Sequence, residues 1–189
     1  MSPEGILEFW FGTPDDPDYD KPRAAWFRKD PVFDAGCRER FLSAWEEGLE
    51  GRYDGWMNTA AGTLALCILF DQLPRNMFRD TPRAFASDPR AGEVARHAVA
   101  RGFDLERPAV QRTFFYLPFE HSESIADQKE SLRLFGLAGS DDKSGLLNYA
   151  QRHHDIVARF GRFPHRNAVL GRTSTPEEEA FLSGPDSSF

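Results

Sequence analysis

Five times in this chain a capping side chain is followed at once by proline: Ser2-Pro3, Asp30-Pro31, Thr81-Pro82, Asp88-Pro89 and Thr175-Pro176. An oxygen at that place accepts a bond from an amide that a helix start leaves unpaired. Proline suits the next position, where its missing N–H would have had no partner. Thr175 is followed three residues on by Glu178, which makes a reciprocal capping box. Gly51, Gly102, Gly136, Gly161 and Gly171 close periodic segments and are candidate helix stops. Between starts and stops the apolar spacing is three and four. Phe33, Cys37, Phe41, Ala44 and Trp45 make one stripe, and Leu146, Ala150, His153, Val157 and Phe160 a second. His121, Ile125, Gln128, Leu132 and Phe135 make a third. Strand alternation and Asn-Gly hairpins do not occur. The pattern predicts an all-α bundle of about eight or nine helices with short connections. Gly12 to Asp20 reads as an acidic, proline-rich loop. Residues 1–183 are expected to form a single helical domain, with 184–189 a frayed tail.

Size and composition bound the function. A chain of 189 residues buries a real core, and its 17 phenylalanines make that core aromatic. A formal net charge of -7 and a pI near 5.3 exclude a general nucleic-acid or membrane-surface binder. Lysine is confined to Lys21, Lys29, Lys129 and Lys143, so most cations are arginines, planar forks suited to carboxylates and phosphates. Cys37 and Cys67 fall in apolar helical patterns and read as reduced thiols. The opening residues lack the basic start of a signal peptide, and the apolar run Leu64 to Phe70 is too short to span a membrane. These features point to a cytoplasmic protein.

Three segments carry the chemistry. The stretch Thr63 to Phe70 is apolar on every side and belongs at the centre of the bundle. It runs straight into Asp71-Gln72-Leu73-Pro74-Arg75-Asn76, where Pro74 is expected to end or bend the helix and turn Arg75, Asn76 and Arg79 over its end. Asp71 and Arg75, four apart, can pair locally. In Phe119-Glu120-His121-Ser122-Glu123, Pro118 interrupts the preceding helix and sets the acids and imidazole at a break. Residues 152–172 hold three of the five histidines and five arginines against one acid. Within them Arg162, His165, Arg166 and Asn167 surround Pro164; His153 falls on the apolar face with His154 beside it, so at most one of the two reaches the cleft.

Together with Gly171-Arg172 and Ser174 to Glu178, these segments resemble the bacterial domain-of-unknown-function family 924. The resemblance covers nearly the whole chain. It implies a tetratricopeptide-like fold of packed helical hairpins, and it transfers no activity. A scan for a 34-residue period finds no clear internal copies.

The residues support three functional readings. In the first, Arg75, Arg79, Arg162 and Arg166 grip a small anion such as a phosphate or carboxylate, or a peptide terminus. Asp71, Gln72, Asn76, Gln128, His154 and Asn167 complete the surroundings, and His121 and His165 orient the ligand. The second is an ester or phosphoester hydrolase with His121 or His165 as general base and Glu120 or Glu123 setting its tautomer. The third is architectural. There the arginines are satisfied by Asp71, Glu120 and Glu123, and a protein partner binds an exposed groove. All three require the segments to fold back on one another. His121, Glu120, His154, Asp155 and His165 lack metal-site spacing, so no metal is expected, and no cofactor is implied. A Ser122 nucleophile lacks the elbow that would present it. Gly139 to Ser144 superficially matches a phosphate loop, but Asp142 stands where glycine must precede the lysine.

Overall fold

The computed structural model describes residues 1–138, 145–185 and 187, and those residues are helical with no strand. Helix α1 is Pro3–Phe11, α2 Pro31–Leu49, α3 Ala60–Cys67, α4 Leu73–Met77 and α5 Asp88–Arg101. Helix α6 is Ala109–Glu120, α7 Ile125–Ala138, α8 Leu146–Phe160 and α9 Pro176–Leu182. Packing divides the chain into two compact units, one of Met1–Arg79 with Arg83–Pro118 and one of Asp80–Pro82 with Phe119–Phe189. The phosphate-loop-like stretch Gly139 to Ser144 lies outside the described residues, as do positions 186, 188 and 189 of the tail.

The caps behave as their chemistry requires. Ser2 caps α1 through the Gly5 amide, Asp30 caps α2 through those of Val32 and Phe33, and Thr175 with Glu178 forms the capping box of α9. Two starts differ. Helix α5 begins one residue early, with Ser87 at the cap position, and the Ser87 hydroxyl caps nothing there because it is engaged with the Phe70 carbonyl. Thr81-Pro82 opens only a 3-10 turn, Pro82–Phe85. Gly102 and Gly161 close α5 and α8 in the left-handed conformation, at φ 71° and 70°. Gly136 does not stop a helix; it lies inside α7.

In the first unit α3 and α4 form one continuous rod, buried along nearly its whole length. The two helices are joined by a π-helical turn, Ile68–Gln72, in which the Leu73 amide reaches back five residues to the Ile68 carbonyl. Pro74 therefore does not end the helix. The wide turn makes room for its ring, and the Phe70 carbonyl, four residues before it, accepts a 2.5 Å bond from Ser87 Oγ. Ser87 in turn accepts from Trp45 Nε1 at 2.9 Å. An aromatic cluster of Trp10, Phe11, Trp26 and Phe114 fills the space beside α1. Gly62 allows α3 to approach the 3-10 segment Asp54–Asn58, since a β-carbon there would stand 2.2 Å from the Trp56 carbonyl oxygen.

In the second unit α7 packs on α8, and Ile156, Val157 and Phe163 form a core flanked by Phe160 and Phe181. The buried face of α7 is offset from the expected stripe. Gln128, Ser131, Leu134 and Phe135 point inward, whereas Ile125 is 41% exposed and His121 lies in the turn before the helix. No described helix is long and apolar enough to cross a membrane.

Candidate functional site

The C-terminal part of the central rod, with Arg79 just beyond it, meets two acids that sequence reasoning did not pair with it. Arg75 lays both NH groups on Asp88, at 2.9 and 3.0 Å, and NH1 also reaches the Asp71 carbonyl oxygen at 2.6 Å and its carboxylate at 3.2 Å. Burial works against the Arg75 charge, but Asp71 and Asp88 more than offset it, so its pKa is raised. Arg79 grips Asp34 through Nε at 2.6 Å and NH2 at 3.0 Å, and Asn76 donates to the same carboxylate at 2.9 Å. Gln72 is buried and donates to Asp71 at 2.5 Å. Asp34 and Asp88 occupy the first turns of α2 and α5, where the helix dipole favours negative charge. The signal was present: each acid stands beside or shortly after one of the cap–proline pairs.

The other two segments meet in the second unit. Glu123 accepts from Arg172 through both oxygens, at 2.7 and 2.9 Å, and from the Phe163 amide at 2.8 Å; Arg172 also donates to the Phe163 carbonyl at 3.1 Å. Burial raises the Glu123 pKa, yet the Arg172 and Phe163 donors prevail and hold it below the ordinary value. Arg162 is bidentate to Glu178, at 2.7 and 2.8 Å, and Glu178 also accepts from the Thr175 amide and from buried Asn167. Those donors, Arg162 first, bring Glu178 down to about 2. The carboxylates satisfying Arg162 and Arg172 are thus Glu178 and Glu123, and Glu178 had been read only as a cap.

Between these clamps lies a cluster of imidazoles. Buried His153 holds Nδ1 2.8 Å from the Tyr149 carbonyl and 3.4 Å from Glu120, and its ring meets His121 at 6.3 Å between centroids. The N–H must lie on Nδ1 for that carbonyl to accept it, which leaves Nε2 as the basic nitrogen. Phe163 stacks edge-on against His153 at 5.5 Å and lies 5.6 Å from the His165 ring. Buried Arg166 covers the Phe163 face at 4.4 Å and donates to the His121 carbonyl at 3.0 Å. Gln128 donates to the Glu120 and Ser122 carbonyls, both at 2.6 Å. Gln128 and Arg166 together satisfy carbonyls at the C-terminal end of α6, the end a cation favours. Burial, then Arg166 and its neighbours, push His165 down to about 4; burial, with His121 and Arg166, pushes His153 down to about 3.

Not every predicted residue joins the cluster. His154 points to its neighbour Asp155, at 3.0 Å. Ser122 donates to Asp127 at 2.8 Å rather than to a histidine. Glu123, held by Arg172, does not set a histidine tautomer; Glu120, beside His153, is the acid placed to influence one. His153, which its spacing put on the apolar face of α8, joins the cluster, whereas His154, carried in the ligand set, does not. Among the described residues, no group of three His, Cys, Asp or Glu is placed to hold a metal.

The sequence profile of a family described as bacterial protein of unknown function, DUF924, matches residues 6–186. The chain belongs to that family. A solved structure of a protein of unknown function from Agrobacterium tumefaciens is similar to it, with 41% identity, 96% of each chain covered and a TM-score of 0.84. No curated protein matches. The helical fold is therefore shared with that solved structure, and the chemistry must be read from the side chains of this DUF924 member.

Proposed function

We propose that this chain binds a small anion, a phosphate or carboxylate group or a peptide terminus, at the cluster of His121, His153, His165 and Arg166 in the second unit. The observation that supports it is a buried guanidinium among imidazoles. In a chain of net charge -7, Arg166 opposes protonation of both His153 and His165, against Glu120 at 3.4 Å from His153 and Glu123 acting the other way on His165. An anion entering that cluster is attracted by Arg166, and its own charge favours imidazolium forms that donate to it. Arg75, Arg79 and Arg162, held by carboxylates, leave the ligand set. A cytoplasmic location belongs to this reading and is supported by two buried thiols, Cys37 raised to about 12 by burial and Cys67 well above its usual value.

Anion binding and proton uptake are then linked. The folded His165 value of about 4 lies below the ordinary 6.5, so an anion that raises it draws in a proton on binding, and affinity rises as pH falls toward 4. Histidine NMR titrations of the full chain, with and without inorganic phosphate or acetate, test this. The expected result is an upward shift of at least one imidazole pKa, lost in His165→Asn with the fold intact. Imidazole titrations indifferent to both anions would overturn the proposal.

A second reading is favoured by the bidentate Arg162–Glu178 and Arg172–Glu123 pairs. It makes the motifs clamps of a tetratricopeptide-like interaction module. Under it, Arg162→Ala lowers stability and changes no ligand response. Hydrolysis fits less well, because imidazoles brought to about 3 and 4 are weak general bases at neutral pH.

A further inference from the structure

The first unit contains an open cleft of about 230 Å³ between one face of α1, the loop after it and the start of α6. Glu4, Leu7, Glu8 and Phe11, spaced as one helical face, line it from α1; Arg107 and buried Gln111 line it from the region of α6. Its walls carry opposite charges that do not meet. Glu4 and Glu8 have no ion-pair partner among the described residues, and neither does Arg107.

Both halves of this arrangement are electrostatically incomplete. Glu4 and Glu8 are like charges one turn apart, which disfavours the helix. Glu8 also stands in the last turn of α1, the end where the dipole disfavours an acid, and no basic residue accompanies it. Arg107 is held in place by a neutral group: Nε at 2.8 Å and NH2 at 2.5 Å both donate to Gln111 Oε1, while the Gln111 amide donates to Asp20. Asp20 adopts a left-handed φ of 54°, uncommon for a residue with a β-carbon. A planar guanidinium fixed by a buried amide, with no carboxylate of its own, is preorganised for one.

We infer that this cleft binds a small zwitterion, an α-amino acid with an apolar side chain. Its carboxylate lies toward Arg107, its ammonium toward Glu4 and Glu8, and its side chain against Leu7 and Ala61. The volume falls below the range of about 300–1,000 Å³ usual for drug- and cofactor-sized ligands, which favours a single residue over a nucleotide. This site is independent of the anion proposal, which concerns the other unit.

Calorimetry on the full chain tests the inference with L-leucine, N-acetyl-L-leucine, which lacks the ammonium, and L-leucinamide, which lacks the carboxylate. Leucine is expected to bind more tightly than either blocked form. Arg107→Met should weaken leucine about tenfold and leave leucinamide unaffected, a charged hydrogen-bond pair being lost. The exposed pair Glu4→Gln and Glu8→Gln should weaken leucine and leucinamide about fivefold and spare acetyl-leucine. Circular dichroism confirms that the variants are folded. Leucinamide binding as well as leucine would make this a simple cation site and overturn the inference. So would the absence of leucine binding at about 10 mM, the weak end of measurable affinity.

Discussion

Ser87 joins the π turn of the central rod to the rest of the first unit, and Ser87→Ala measures what that junction contributes. The hydroxyl donates to the Phe70 carbonyl at 2.5 Å and accepts from Trp45 Nε1 at 2.9 Å, with all three residues almost wholly inaccessible to water. Alanine removes both partners and leaves a space too small and too apolar to supply new ones readily. A buried polar group left unsatisfied costs about 1–3 kcal/mol, so two such groups give an expected loss of about 2–6 kcal/mol. Urea unfolding followed by circular dichroism reads it as a lower midpoint at unchanged slope. The proline supplies the internal control. Pro74→Ala returns an N–H to the position that faces the Phe70 carbonyl along the helix, so Ser87→Ala should cost about 1 kcal/mol less in that background. A Ser87→Ala loss below about 1 kcal/mol, or one identical with and without Pro74, would refute the account of how the rod accommodates its proline.

The Glu123 clamp predicts a pH dependence. Its folded pKa is depressed, so its contribution is present above the unfolded value near 4.3 and is lost as pH falls through the folded value. Glu123→Gln should therefore destabilise by about 1–2 kcal/mol at pH 7, allowing for the solvent that reaches the pair, with the gap to wild type closing below about pH 4. Glu178, at about 2, follows the same sign: Glu178→Gln lowers the melting temperature at neutral pH, and the difference shrinks as acid titrates the wild type toward pH 2. Gly62→Ala places a β-carbon 2.2 Å from the Trp56 carbonyl oxygen and should cost about 3 kcal/mol in urea unfolding, despite alanine's better helix propensity.

What the sequence made legible, and what it did not, follows from the range of the forces involved. Ser2, Asp30 and Thr175 were readable as caps because a cap is satisfied by amides two or three residues away. The central burial of Leu64 to Phe70 was readable because an all-apolar segment has no other favourable place. Pro74 was misread for the opposite reason. Whether a proline breaks a helix depends on what can donate to the carbonyl it leaves unpaired, and Ser87, 17 residues from Phe70, is invisible to local rules. The arginines obeyed the same logic. The anion reading gave Arg75 and Arg79 to a ligand, yet Asp34 and Asp88 hold them from first turns where helix dipoles already favour carboxylates. An acid just inside a proline-marked helix start is a docking point for a distant guanidinium, so charge balance has to be drawn over such starts before a cluster of arginines is assigned to a ligand. By that standard Arg75, Arg79, Arg162 and Arg172 are accounted for. The imidazoles around Phe163 are not, since their ring packing explains how they sit but not why three are gathered beside Arg166, and it is there that a ligand reading keeps its force.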